Sequence, residues 1–140
     1  MALALALVAW GALLAATDVC ERRLPNALTL PAVPAFWALA VAMGRWWAIA
    51  GGVAWSVLYL VTALCLPARG VRSVGGGDVK LAASLGVLAA WYGGAGWCVA
   101  VIAASCCSLL WMAVARRRSA PHGPAMLLCA PLGALVGALS

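Results

Sequence analysis

With 67% hydrophobic and 9% charged side chains in 140 residues, the chain cannot cover a water-facing surface; a soluble domain carries roughly 25% charged residues. A membrane span takes on the order of 20 apolar residues, so this length holds about six spans with short loops. That leaves no room for a second, soluble domain, and a single membrane-embedded domain over residues 1–140 is expected. The net charge of +6 comes from nine Lys/Arg against three Asp/Glu. In a soluble protein such an excess points to nucleic acid, but here the bases sit in short clusters between apolar runs, with no basic face interleaved with aromatics. They read as topology signals, and no nucleic-acid partner is expected.

In chain order, the first apolar run covers residues 2–19. It has no basic segment before it, and Arg22 and Arg23 follow it, so it reads as a retained helix rather than a signal peptide. The second run covers 27–43, with Pro31 and Pro34 near its start; the third covers 47–67. The fourth begins at Asp78 and ends around Trp91 and Tyr92, the fifth covers 97–115 and the sixth 124–139. The expected fold is therefore all-α, a polytopic membrane protein of about six transmembrane helices.

The bases alternate. Arg22 and Arg23 follow the first run, Arg69 and Arg72 the third, and Arg116, Arg117 and Arg118 the fifth, whereas the loop after the second run carries Arg45 alone and the loop after the fourth none. The positive-inside rule puts the three basic loops in the cytoplasm and both termini outside. Trp46, Trp47, Trp91, Tyr92 and Trp97 then gather at the outer boundary as an aromatic belt. Small residues within the runs, including Gly51, Gly52, Ala103, Ala104 and the Gly133/Gly137 pair, suit close helix packing.

The three acids are Asp18, Glu21 and Asp78. Asp18 ends the first run and Asp78 begins the fourth, so two carboxylates distant in sequence fall at the same depth on the same side. Acids at a membrane boundary are costly and need a reason. Each has an ordinary one: Asp78 after three glycines suits a helix N-cap, Asp18 could pair with Arg22 at helical spacing, and Glu21 reads as a solvated loop acid. Those readings leave the coincidence in depth unexplained. Two adjacent carboxylates that share a proton provide a base to activate water and an acid to protonate a carbonyl, which is peptide hydrolysis without a metal or a covalent intermediate. At a helix N-terminus Asp78 suits the ionised role. The glycines before it would let backbone approach closely, and the short fourth run suggests that they dip into the membrane as non-helical backbone lining a wet cleft. Lys80 reads first as a residue snorkelling to the interface, with tuning of the acids or contact with substrate as the alternative.

The six cysteines, Cys20, Cys65, Cys98, Cys106, Cys107 and Cys129, form no C-x-x-C, and His122 is the one histidine. Zinc sites need clustered ligands, so no metal and no cofactor is expected, and the cysteines read as small helix-packing residues.

At this point the residues resemble a known family. Asp18-Val-Cys-Glu-Arg-Arg-Leu-Pro-Asn-Ala-Leu-Thr-Leu-Pro is similar to the D-x(5)-L-P-[DN]-x-L-T-L-P segment of type IV prepilin peptidases. Gly75-Gly76-Gly77-Asp78-Val79-Lys80-Leu81 resembles their G-x-G-D-x-K-L motif, continued by Ala82-Ala83-Ser84-Leu85-Gly86. Pro121-His122-Gly123-Pro124 resembles a late P-x-G-P segment in which many members have Phe where His122 stands. G-x-G-D alone is a weak signal; three motifs in order are a strong one. The resemblance implies a GxGD-type membrane aspartyl protease with Asp18 and Asp78 as the catalytic pair and Pro25, Asn26, Gly75, Gly77 and Lys80 shaping the site or its substrate contacts. It implies a prepilin-like substrate whose short basic leader stays in the cytoplasm and is cut after a Gly that precedes an apolar helix, and hence an enzyme of the inner membrane with its site on the cytoplasmic side. The short form resembles peptidases associated with Flp-type or tight-adherence pili. Longer members carry an N-terminal segment with paired Cys motifs linked to N-methylation; without a C-x-x-C, methylation is not expected here. A small transporter or proton channel would place its acids near mid-membrane, and a catalytically silent scaffold has no use for two aspartates at one depth.

Overall fold

The computed structural model describes residues 2–21, 24–65, 75–116 and 122–140. Arg22, Arg23, Arg69, Arg72, Arg117, Arg118 and Pro121, on which part of the topology and motif reading rests, lie outside the described residues. Within them every regular element is helical: α1 (Ala2–Glu21), α2 (Asn26–Thr29), α3 (Ala32–Ala42), α4 (Ala48–Cys65), α5 (Gly76–Ala89), α6 (Gly94–Ala115) and α7 (His122–Leu139).

The six apolar runs become six helical segments, the second of them broken. Pro31 lacks the N–H that would continue α2, and its fixed φ suits the start of a new helix. It stands at the N-cap of α3, its carbonyl accepting from the Ala35 N–H at 3.3 Å. α4, α6 and α7 are each long and apolar enough to cross a membrane. Large apolar side chains such as Leu60, Ile102, Leu110, Val114, Leu128 and Leu139 point outward from these helices, and an outer surface this apolar belongs in lipid.

α5 is the hub. It packs against α3, α4, α6 and α7, and Leu81, Ala82, Leu85, Val87 and Ala89 are buried around its circumference, as expected for a helix enclosed on all sides. At the α4–α5 crossing the backbones touch: a Cβ on Gly86 would lie 2.6 Å from the Gly51 carbonyl oxygen and 2.7 Å from Gly52 Cα. Gly133 makes the corresponding approach between α7 and α6, where a Cβ would meet Ala100 at 2.7 Å. Polar tips tie the helices to one another. The Trp37 indole donates to the Ala83 carbonyl at 3.2 Å, the Trp97 indole to Gly51 at 2.9 Å and Ser56 Oγ to Val79 at 3.0 Å.

α1 and α7 run antiparallel, with Gly11 against Leu127 and Asp18 against Gly123. The loops between α3 and α4 and between α5 and α6 meet at the end of the bundle away from Asp18. There Arg45 Nη1 donates to the Trp91 carbonyl at 2.6 Å, and its guanidinium lies 4.6 Å from the centre of the Tyr92 ring. Trp46 and Trp47 are exposed beside it. Trp97, expected in the same belt, instead turns inward to reach Gly51, because the small α4–α5 crossing leaves room for its indole.

Candidate active site

The opposite end collects the residues of all three motifs. Asp18 is in the last turn of α1 and is 7% exposed. Its Oδ2 accepts the backbone N–H of Gly123, in the first turn of α7, at 3.0 Å. Glycine is what permits this approach: a Cβ on Gly123 would lie 2.8 Å from the same carboxylate oxygen.

Asp78 is half-buried and occupies the third position of α5 rather than its N-cap. The N-cap is Gly75, in extended conformation, and its N–H donates back to Asp78 Oδ2 at 3.1 Å. Gly76 and Gly77 are thus the first two residues of the helix, not a non-helical segment. With the ladder begun at Gly75, whose carbonyl accepts from the Asp78 and Val79 N–H groups, the acid itself satisfies one of the donors at this helix end.

The two acids lie at the same end of the bundle, each held by a backbone N–H. Leu24 connects their surroundings: its side chain packs on Gly77, where a Cβ would lie 2.8 Å from Leu24 Cβ, and on Gly123, where the distance to Leu24 Cδ2 would be 3.5 Å. Pro25 then opens α2, its carbonyl accepting from the Leu28 and Thr29 N–H groups at 3.0 and 3.2 Å. That turn presents Asn26 to α5, where Lys80 Nζ donates to Asn26 Oδ1 at 2.8 Å. The Lys80 ammonium is tied across to the first motif instead of reaching away from the bundle. All the residues singled out from sequence, Asp18, Pro25, Asn26, Gly75, Gly77, Asp78 and Lys80, therefore share one end of the molecule. Glu21, exposed, has no hydrogen bond or ion pair among the described residues.

The sequence reading missed two polar residues, Tyr59 and Ser108, and left His122, which they meet, without a role. Tyr59 of α4 is buried. Its hydroxyl hydrogen-bonds to His122 Nε2, and Ser108 of α6 hydrogen-bonds to His122 Nδ1. A tyrosine and a serine inside apolar runs give no signal on their own; helical phase places Tyr59 on the same α4 face as Gly52 and Trp55, all buried. Among the described residues no three His, Cys, Asp or Glu side chains gather in a metal-binding group.

A profile of the type IV leader peptidase family matches residues 5–139, nearly the whole chain and all three motifs. No curated protein and no solved structure matches the chain significantly.

Proposed function

Since the chain belongs to the type IV leader peptidase family and is accordingly a protease, we propose that it is an aspartyl endopeptidase acting through Asp18 and Asp78 on prepilin-like substrates. The observation that carries this reading is the pairing itself. Two carboxylates 60 residues apart in the sequence are each held by a backbone N–H at one end of the bundle, where Leu24 packs on both Gly77, beside Asp78, and Gly123, beside Asp18. In such a pair one carboxylate is ionised and the other holds the proton. The ionised member removes a proton from water, the water oxygen attacks the scissile carbonyl carbon, and the protonated member gives its proton to the carbonyl oxygen. Collapse of the tetrahedral intermediate breaks the C–N bond, with a proton passing to the leaving amine.

Membership of the leader peptidase family supports the substrate reading. A short basic leader lies in the cytoplasm, the bond after its Gly enters beside Asp78, and the following apolar helix stays in the bilayer. The exposed Gly75 and Gly76 leave the backbone next to Asp78 open to an extended segment. The enzyme would be a multi-pass protein of the inner membrane serving type IV, Flp-type or tight-adherence pili. A channel or transporter is disfavoured because both acids lie at helix ends.

Co-expression with candidate prepilins from the same genome tests this. The wild type should produce a mobility shift equal to the leader, while Asp18→Asn and Asp78→Asn insert in the membrane and produce none; shifts with either variant would reject the assignment. Reporter fusions after Ser119 and Ser140 should report cytoplasm and outside respectively. A cytoplasmic report at Ser140 would move the site to the other face.

A further inference from the structure

The N–H that holds Asp18 belongs to Gly123, 3.0 Å from Oδ2. No side chain of its own can steady that residue, since a Cβ there would lie 2.8 Å from the same carboxylate oxygen. Pro124 follows it, and a residue before proline is pushed away from helical dihedrals. Glycine is the residue most free to yield to that push, yet Gly123 stands in the first turn of α7. Something else must keep its N–H on the acid.

The peptide plane is gripped from its other side. The atoms from His122 Cα to Gly123 Cα, including the Gly123 N–H, lie in one plane, so whatever fixes His122 largely fixes where that N–H points. The His122 ring is hydrogen-bonded through Nε2 to Tyr59 of α4 and through Nδ1 to Ser108 of α6. Both partners are buried, at 5% and 8% exposed. A ring nitrogen that carries a hydrogen donates, a bare one accepts, and a hydroxyl can take either part, so the two ties form in either tautomer. The Tyr59 ring also packs against the imidazole, with centres 5.3 Å apart. Ties to two different helices leave the imidazole little freedom to turn.

We infer that His122 is a positioning residue for Asp18: anchored by its ring to α4 and α6, it sets the peptide plane that aims the Gly123 N–H at the Asp18 carboxylate. This inference rests on the reading of Asp18 and Asp78 as the catalytic pair. His122 acts on Asp18 through the backbone of α7, and Tyr59 and Ser108 act on it through His122.

The test is a set of rates measured on the full chain in detergent with a prepilin-like substrate that the wild type cleaves. His122→Phe keeps a ring and removes both ties; kcat should fall about tenfold, with KM within about twofold, as for a reacting group slightly misplaced. Tyr59→Phe and Ser108→Ala each remove one tie and should each lower kcat about threefold, and the two together about tenfold. In a Gly123→Ala background none of these substitutions should cost anything further, because the added methyl has already driven Asp18 off the N–H. A merely structural role for His122 would leave its loss intact there. Persistent loss in that background, a Gly123→Ala enzyme at the wild-type rate, or a wild-type rate for the Tyr59→Phe/Ser108→Ala double variant overturns the inference. If His122→Phe does not insert, that double variant, which deletes only two hydroxyls, carries the same test. Asp18→Asn and Asp78→Asn in the same assay separate the two claims. Inactive Asp variants beside a His122 loss that persists with Gly123→Ala reject the positioning role only, whereas Asp variants that cleave reject the catalytic reading itself.

Discussion

The two ends of the bundle handle charge in opposite ways. At the aromatic end the one described charged side chain, Arg45, is matched by a backbone carbonyl and the ring of Tyr92. At the other end two acids receive one backbone N–H each, and the polar side chains of that end pair among themselves, Lys80 with Asn26 and His122 with Tyr59 and Ser108. A carboxylate has about four lone-pair sites, so each acid retains accepting capacity for a water or a substrate. Glycine shows the same division. At the helix crossings Gly51, Gly52 and Gly86 let backbone meet backbone, while Gly77 and Gly123 let side chains, Leu24 and Asp18, come against a helix start. One end is arranged to hold the fold in place, the other to leave acids usable.

Substitutions should therefore separate rate from stability according to the end they touch. The largest effect short of the acids themselves is expected from Gly123→Ala. The added methyl would meet Asp18 Oδ2 at 2.8 Å and displace it, and misplacing a reacting group by a fraction of an ångström to 1 Å costs up to about a hundredfold. Cleavage rates of membrane-inserted protein measure this directly. Gly77→Val follows, with a loss on the order of tenfold, because its Cβ would collide with Leu24 at 2.8 Å and shift the α1–α2 connection. Smaller still, Lys80→Met and Asn26→Ala should each lower the rate about threefold, and the double variant should be no worse than either, as a single shared hydrogen bond requires. At the far end Arg45→Met should leave cleavage within about twofold while lowering thermal stability in detergent by about 1–2 kcal/mol, the worth of its hydrogen bond and its cation–π contact. If Arg45→Met slows cleavage as much as Gly77→Val, the two ends are coupled and the division fails.

The helices were readable from hydropathy because a chain in lipid must satisfy its backbone within each segment. Asp18 and Asp78 were readable because acids are rare where water is absent. What escaped was local or tertiary. Pro31 splits the second run because position within a helix decides whether proline starts it or breaks it. The three glycines suggested loose backbone, but Gly76 and Gly77 enter α5 once Asp78 caps the Gly75 N–H. Lys80 gave two readings that only its meeting with Asn26 distinguishes, and that contact joins residues 54 positions apart. Tyr59 and Ser108 carry no pattern in the sequence, since one hydroxyl in an apolar helix says nothing of its partner until three helices are assembled around His122.

The central claim is that Asp18 and Asp78 act as one acid–base unit, and non-additivity tests it most directly. Cleavage of a prepilin-like substrate would be measured for Asp18→Asn, Asp78→Asn and the double variant, with Glu21→Gln as the exposed acid control. Each single substitution should lower the rate by about a thousandfold or more, the double variant should lose no more than either single, and Glu21→Gln should cleave like the wild type. An Asp18→Asn or Asp78→Asn enzyme that retains near wild-type cleavage, or losses that multiply in the double variant, would contradict it.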